Sequence, residues 1–492
     1  MQDGGFLANK LTNDILFMIT SENLPLSIVD SKGFKRLMNR AAPLYTVPSR
    51  RTITRLIDAK YDFLKDSFKE DLKLSSTFTL TCDIWTDVSN QSYLGVTIHY
   101  LRHELVLSNA TIGVFPLMQN HTANYVRETL ISVIESFGID VESIIAVVTD
   151  SAANMKKAIT DGFGSAKHLP CIAHIVSHLV PDAIKLSPRI GEIIAKVKSI
   201  VSVTKRSVVA SDELKRLQIR DGKTDSTALK LKQDVPTRWN STYYMIERFL
   251  ELKDYIYPVL LTCRTAPTAL SREEISILED TVRLLGPIEF VTTEISGDSY
   301  PTSSMVIPLI HCMEATIKNC IPITVEGKAF KDSILSEVQR RDVLKKLNHI
   351  RYLQCQLFWT RDINACISSH QKMLPMPYHT LTVNLVDSCT PFTPSVDEPG
   401  GVNLELQQYL NQPPILRNQD PFKHWQTLKP AYPTLFTVAM RYLSVVATSV
   451  PSERMFSKAG IVKSDLRSRL SGKRLNSLLF LGSLSEESWG QD

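Results

Sequence analysis

The sequence predicts a mixed α/β chain, and three observations lead there. The hydrophobic period changes near residue 78 from helical to alternating, an apolar run at 144–148 ends on Thr149 and Asp150, and strand signals are missing between about 240 and 370. Residues 11–70 read as helical. "PSRRTITRLIDAKYDFLKDSFKEDL" sets Ile53, Leu56, Ile57, Tyr61, Leu64 and Phe68 on one stripe, with Ser49 as N-cap. "STFTLTCDIW" then alternates Phe78, Leu80, Cys82 and Ile84 against Thr79, Thr81 and Asp83, and "SYLGVTIHYL" and "LVLSNATIGVF" supply two more strands. An amphipathic helix follows through Val126, Leu130, Val133 and Phe137. After it come the strand at 144–148, a helix near 151–160, a short strand around "KHLPC" and a helix from about Ile172.

Three strands, helix, strand, helix, strand, helix is the element order of an RNase H-like fold. Asp83 would close the first strand and Asp150 the fourth. Those strands would run side by side and parallel, so both carboxylates would meet at the carboxyl edge, where open α/β sheets collect their ligands. From 240 to 370 the pattern is helical. Residues 371–403, with five Pro and the pair Gly400-Gly401, read as an irregular connector before helical signals return with "NLELQQYL". The expected organisation is therefore a helical N-terminal segment at 1–70 and the first part of an RNase H-like core at 71–239. A helical insertion at 240–370, a linker at 371–403 and a C-terminal region at 404–484 that completes the core follow.

With 492 residues, 43% of them hydrophobic and 22% charged, the composition is that of an ordinary globular protein. No run approaches a membrane span, the first residues lack a signal-peptide pattern, and the eight cysteines include no Cys-x-x-Cys pair, so an intracellular protein with reduced thiols is expected. The net charge is +5 but unevenly spread. Residues 441–475 hold eight Lys/Arg against two acids, and 185–232 hold twelve against five, which suggests a polyanionic partner or else two solvated helical faces.

Three local constellations carry candidate chemistry. Asp83 and Asp150 offer hard oxygen ligands for divalent ions, and Glu453 in "TSVPSERMFSKAG", near the start of a helix opened by Pro451, fits as a third; each acid alone reads more simply as a cap or a solvated charge, and an Asp at both strand ends shifts the pair toward function. In "CIAHIVSH", Cys171, His174 and His178 can share a helix face as zinc ligands, but a fourth ligand is missing and packing is the simpler role. In "DVPTRWNST", Trp239 beside Arg238 could stack on an unpaired base while the guanidinium meets phosphate, whereas a lone Trp is ordinarily core.

Taken together, "PLSIVDSKGFKRLMNRAAPLYTVPSRRTI", "CDIWTD", "VVTDSAANM", "CIAHIVSHLV", "PTRWNSTYYMIERFLELK" and the stretch "YPTLFTVAMRYLSVVATSVPSERMF" with its continuation resemble, in order, the motifs of the hAT superfamily of transposases and the BED-finger proteins derived from them. The resemblance implies a C-terminal hAT dimerisation region. It implies that Asp83, Asp150 and Glu453 are the catalytic and metal-binding acids, acting with Mg²⁺ or Mn²⁺. It makes Cys171 and His174 structural parts near that site and gives Trp239 a base-stabilising role. Arg238, Lys458, Arg467 and Arg469 would contact DNA. The chain departs from the family in showing neither a BED zinc finger nor the Leu-Asp-Pro-Arg-Phe run of the insertion. The expected function is metal-dependent cleavage and transfer of double-stranded DNA by a nuclear homodimer or higher oligomer without membrane contact. A catalytically inactive, domesticated nuclear regulator of transcription and a non-functional remnant are the alternatives.

Overall fold

The computed structural model describes residues 5–341 except 88, 103–104, 151, 237, 264–265 and 298–302, and then 405, 408–409, 412, 420–463 and 470–490. The chain divides into two compact units. The first comprises Met1–Cys171, Gly297–Ser304 and Gly401–Asp492; the second comprises Ile172–Ser296 and Met305–Gly400. The linker expected at 371–403 lies outside the described residues.

The first unit opens with helices α1 (Phe6–Ser21), α2 (Lys32–Ala41) and α3 (Arg50–Lys73). Helix α3 starts where the sequence places it: the Ser49 side chain accepts from the Thr52 backbone N–H, and Ile53, Ile57, Leu64 and Phe68 are buried along one stripe. Strands β1 (Phe78–Thr86), β2 (Ser92–Leu101) and β3 (Leu107–Leu117) are followed by α4 (Ala123–Ser136), β4 (Ile144–Thr149), α5 (Ala153–Phe163) and β5 (His168–Pro170). The sheet is mixed, in the order β3-β2-β1-β4-β5; β1 pairs antiparallel with β2 and parallel with β4.

Two details differ from the sequence pattern. The alternation in β1 suggests one wet face, yet Thr79 and Thr81 are as fully buried as Leu80 and Cys82. Helices cover both faces, and threonine is small and weakly polar enough to accept either environment. Asp83 also does not close β1, which runs on to Thr86 along β2. On the other side the described pairing with β4 ends at Thr81↔Val148, because β4 itself stops at Thr149. The β4-facing side of Asp83 is thereby left without a strand.

The second unit is helical among its described residues: α6 (Ile172–Lys185), α7 (Pro188–Arg206), α8 (Val208–Arg220), α9 (Trp239–Glu251), α10 (Lys253–Leu260), α11 (Arg272–Ile295), α12 (Ser303–Asn319) and α13 (Val325–Arg341). Glu274 and Asp280, two of its buried carboxylates among the described residues, tie its elements together. Glu274 completes a capping box with Ser271 and receives Lys196 at 2.5 Å and Arg189 at 3.2 Å. Asp280 accepts from the backbone of Ile323 and Thr324 at 3.1 and 2.8 Å, fixing the turn into α13.

The chain then returns to the first unit as α14 (Pro421–Leu428), α15 (Pro433–Leu443), α16 (Val450–Val462), α17 (Gly472–Leu481) and α18 (Glu486–Trp489). Helix α17 packs on β3 and α3. Leu475, Phe480 and Leu481 are fully buried, and the Asn476 side chain accepts from Val114 N at 2.8 Å, satisfying part of the outer edge of the sheet. Among the described residues no helix is long and apolar enough to cross a membrane.

Candidate functional site

The described register of β1 and β4 ends at Thr81↔Val148, so Asp83 and Asp150 each lie two residues past the last pair, at the same end of the two parallel strands. One oxygen of each carboxylate is held by its own segment: Asp83 Oδ1 accepts from Ile84 N at 2.8 Å and Asp150 Oδ1 from Ala152 N at 3.2 Å. Glu453 stands exposed in the first turn of α16, where the helix dipole favours negative charge. Burial pushes the Asp83 carboxyl up to about 7; the Ile84 bond opposes this, and the negative charges of Asp150 and Glu453 add to it. Asp83 therefore lies within the field of both Asp150 and Glu453. They do not form a closed ligand set: among the described residues no group of three His, Cys, Asp or Glu side chains could hold a metal ion as it stands.

Helix α16 carries Glu453, and it is tied down along its length. At its start the Thr81 and Ser452 hydroxyls share a buried hydrogen bond of 3.0 Å. Just before it, Ser449 N donates to Cys171 Sγ at 3.3 Å, while Cys171 N donates to Thr149 O at 2.8 Å. Cys171 is fully buried, so it links the end of β4 to the entry of α16 and is not exposed as a ligand. In the middle, Met455 and Phe456 close over Gly95, which pairs with Asp83 across β1 and β2. A Cβ there would fall 2.1 Å from Met455 Cε and 2.6 Å from Phe456 Cε1, so a larger residue would have to displace both side chains. Phe456 also stacks on Trp85, centroids 5.9 Å apart. At the far end, Lys463 forms a buried ion pair with Asp87, donates to the Tyr93 hydroxyl and lies 4.7 Å from the centre of that ring. Burial alone would raise the Asp87 carboxyl, but bonds from Lys463, Ser89 and Gln91 N outweigh it and hold the group at about 2.

Asp87, Gly95, Ser452 and Lys463 are the residues that sequence reasoning missed. The available signals were the second Asp of "CDIWTD" and a glycine inside the strand pattern "SYLGVTIHYL".

In the second unit, His174 is half-buried and His178 exposed, and their Nε2 atoms stand 3.1 Å apart on α6. Trp239 opens α9 and is only 6% exposed, with its Nε1 buried and unbonded among the described residues, whereas Arg238 before it is exposed. Its ring is thus a core surface in this conformation, not an open platform for a base. The basic stretch 185–232 is largely paired: Lys185, Arg189, Lys196, Lys198, Lys215, Arg216 and Arg220 each meet an acid. Lys205, Arg206 and Lys230 are exposed and form no ion pair among the described residues. In the C-terminal stretch, Lys463 and Arg474 are occupied by Asp87 and Asp58, Lys458 is exposed, and Arg467 and Arg469 lie outside the described residues.

Three family models match the chain: a ZBED1 RNase-like domain over residues 81–171, a ZBED1 RNase-like helical domain over 169–283, and the hAT family C-terminal dimerisation region over 405–484. The first spans the segment bearing Asp83 and Asp150, and the last spans Glu453. This combination is similar to that of hAT-type, transposase-like proteins. The chain is 24% identical to human "Zinc finger BED domain-containing protein 4" over 96% of its own length and 43% of that protein's. It is 23% identical to the maize "Putative AC transposase" over 94% of itself and 63% of the relative, and 24% identical to the Drosophila melanogaster "Transposable element Hobo transposase" over 64% and 48%. It thus spans less than two thirds of each of these relatives. The hAT dimerisation region and the ZBED1 RNase-like domains, with ZBED, AC and Hobo relatives, are consistent with a hAT-derived protein.

Proposed function

We propose that the chain is built on an RNase H-like core whose Asp83, Asp150 and Glu453 cut and join double-stranded DNA with a divalent metal, as a nuclear homodimer. The observation that carries this reading is the raised Asp83 carboxyl, which lies in the field of Asp150 and of Glu453 although position 453 lies 370 residues beyond position 83 in sequence. Such mutual repulsion in a half-buried site is what a hard divalent cation relieves, and three carboxylates from three elements are the donor class it selects. Asp83, Asp150 and Glu453 would hold Mg²⁺ or Mn²⁺, which would polarise a scissile phosphate and lower the pKa of an attacking water or hydroxyl. The protein's own part is to orient Asp83 and Asp150 through Ile84 N and Ala152 N and to bring Glu453 over the sheet on α16. Lys458, on the exposed side of α16, is placed to meet phosphate, and the C-terminal dimerisation region supports self-association. Trp239 would take part only after the entry of α9 uncovers it.

The open ligand set and the buried Trp239 favour a second reading, a nuclear regulator that binds DNA or protein on the same scaffold without cutting. Mn²⁺-dependent nicking of supercoiled DNA, compared with Asp150→Asn, separates the two. Nicking abolished in the variant supports the enzyme. Equal and negligible nicking by both proteins, with DNA binding intact, supports the regulator.

A further inference from the structure

We infer that His174 and His178 form a binding site for a borderline divalent transition metal of the Zn²⁺ or Cu²⁺ class, separate from the carboxylate site and independent of the function proposed above. Both side chains sit on the first half of α6, four residues apart, which places them on one helix face one turn from each other. Each presents the same ring nitrogen, and the two Nε2 atoms are 3.1 Å apart with ring centroids at 4.5 Å. An ion at the usual zinc–imidazole distance of about 2.0–2.1 Å from both nitrogens would subtend an angle of about 100°, acceptable for tetrahedral or octahedral coordination. Helix α6 sets this spacing before any ion arrives.

The same separation also suits one imidazole donating to the other, so the decisive property is affinity. Imidazole is a borderline ligand that prefers Cu²⁺ and Zn²⁺ to Mg²⁺, whereas carboxylates prefer the hard ions. Among the described residues no third His, Cys, Asp or Glu completes the set. Cys171 precedes the helix but is fully buried and engaged with Ser449 N. Asp182, the next residue on the same face, is bonded to Arg341 and Lys185. Arg341 also donates to the His178 carbonyl at 3.0 Å, so a cation already serves that end of the face. Water would therefore supply the remaining positions, and exposed His178 gives the ion a route in.

The test uses the full chain without a polyhistidine tag, titrated with Zn²⁺ and with Cu²⁺ and followed by calorimetry and by Cu²⁺ electron paramagnetic resonance. The expected result is one site per chain that Mg²⁺ does not displace, with two nitrogen ligands in the spectrum. His178→Ala should weaken it about a hundredfold and leave one nitrogen, because the second imidazole binds intramolecularly at high effective concentration. His178 is exposed, so this variant keeps the fold even if His174→Ala does not. Affinity unchanged in His178→Ala would overturn the inference, as would a site abolished by Asp83→Asn but untouched by His178→Ala.

Discussion

Replacing Asp83 by Asn should stabilise the metal-free protein at alkaline pH. The carboxyl is pushed from its ordinary value of 3.8 to about 7, chiefly by burial. Between these limits the folded state holds a proton that the unfolded chain has released, so wild-type stability falls as pH rises through that window and levels off above about 7. At about 1.4 kcal/mol per pH unit, the full penalty for ionised Asp83 is about 4 kcal/mol, and relaxation or water entry at this half-buried site would bring it toward about 2. Asn keeps the acceptor for Ile84 N and removes the charge. Denaturant unfolding in chelator, followed by tryptophan fluorescence at pH 5 and pH 8, should show Asp83→Asn gaining about 0.5–2.5 kcal/mol more over wild type at pH 8 than at pH 5, in the transition of the first unit. An advantage of the same size at both pH values, or none at pH 8, would refute the claim that Asp83 sits in a repulsive, poorly solvated field. Adding Mn²⁺ in place of chelator should narrow the gap, since only wild type retains all three acids.

The buried pair at the far end of α16 gives a second prediction. Lys463→Met alone should cost about 3–5 kcal/mol by leaving Asp87 buried and uncompensated, while Lys463→Met with Asp87→Asn should cost less than the single change; a double variant as unstable as the sum would contradict pairing. The contribution of Asp87 has the opposite pH sign to that of Asp83. Its carboxyl is depressed to about 2, so its stabilisation is present above about 4 and disappears as pH falls toward 2, which acid unfolding of wild type and Asp87→Asn measures. For DNA, replacing Lys205, Arg206 and Lys230 with Gln should flatten the log–log salt dependence by up to about 0.9 for each phosphate no longer neutralised, whereas replacing the paired Arg216 and Arg220 should leave it nearly unchanged; equal effects would mean the ion pairs do not persist on DNA. Light scattering of the intact 55.4 kDa chain at micromolar concentration should report a dimer, and a clean monomer would contradict that. Deleting 430–484 is not a clean test of association, because α17 fills the core over β3 and α3, so the truncation should also expose the sheet.

The parts of this architecture legible in sequence are those governed by local pattern. Apolar alternation located β1, a continuous apolar run located β4, and a cap and stripe located α3, because each signal is contained within about ten to twenty neighbouring residues. The same locality explains what was hidden. Thr81 carries no sign that its hydroxyl will be buried against Ser452 of a helix 371 residues away. Trp239 reads identically as an anchor or a platform until its surroundings are known. Gly95 reads as a weak point in a strand, and its use becomes clear only when Met455 and Phe456 arrive over it. Asp87 reads as a turn residue, and it is one, since Ser89 N and Gln91 N donate to it; its second oxygen serves Lys463 from the other end of the chain.

These hidden interactions bear unequally on the three acids. Asp83 and Asp150 are fixed by strands that pair within the first 171 residues. Glu453 has no such local support. Its position follows from how α16 docks, and that docking rests on Ser452 with Thr81, Ser449 with Cys171, the notch at Gly95 and Lys463 with Asp87. Four anchors spread along one thirteen-residue helix and its two flanking residues resist rotation as well as displacement, which a single anchor could not. A change at Gly95 or Asp87 should therefore disturb Glu453 while leaving the strand ends that carry Asp83 and Asp150 in place. In chelator, Gly95→Val would lower the Asp83 carboxyl by moving one negative neighbour away, yet leave the part caused by burial and by Asp150 in place. Titration of Asp83 by carboxyl-selective NMR in wild type and Gly95→Val tests this; an unchanged midpoint would mean that Glu453 contributes nothing to the field.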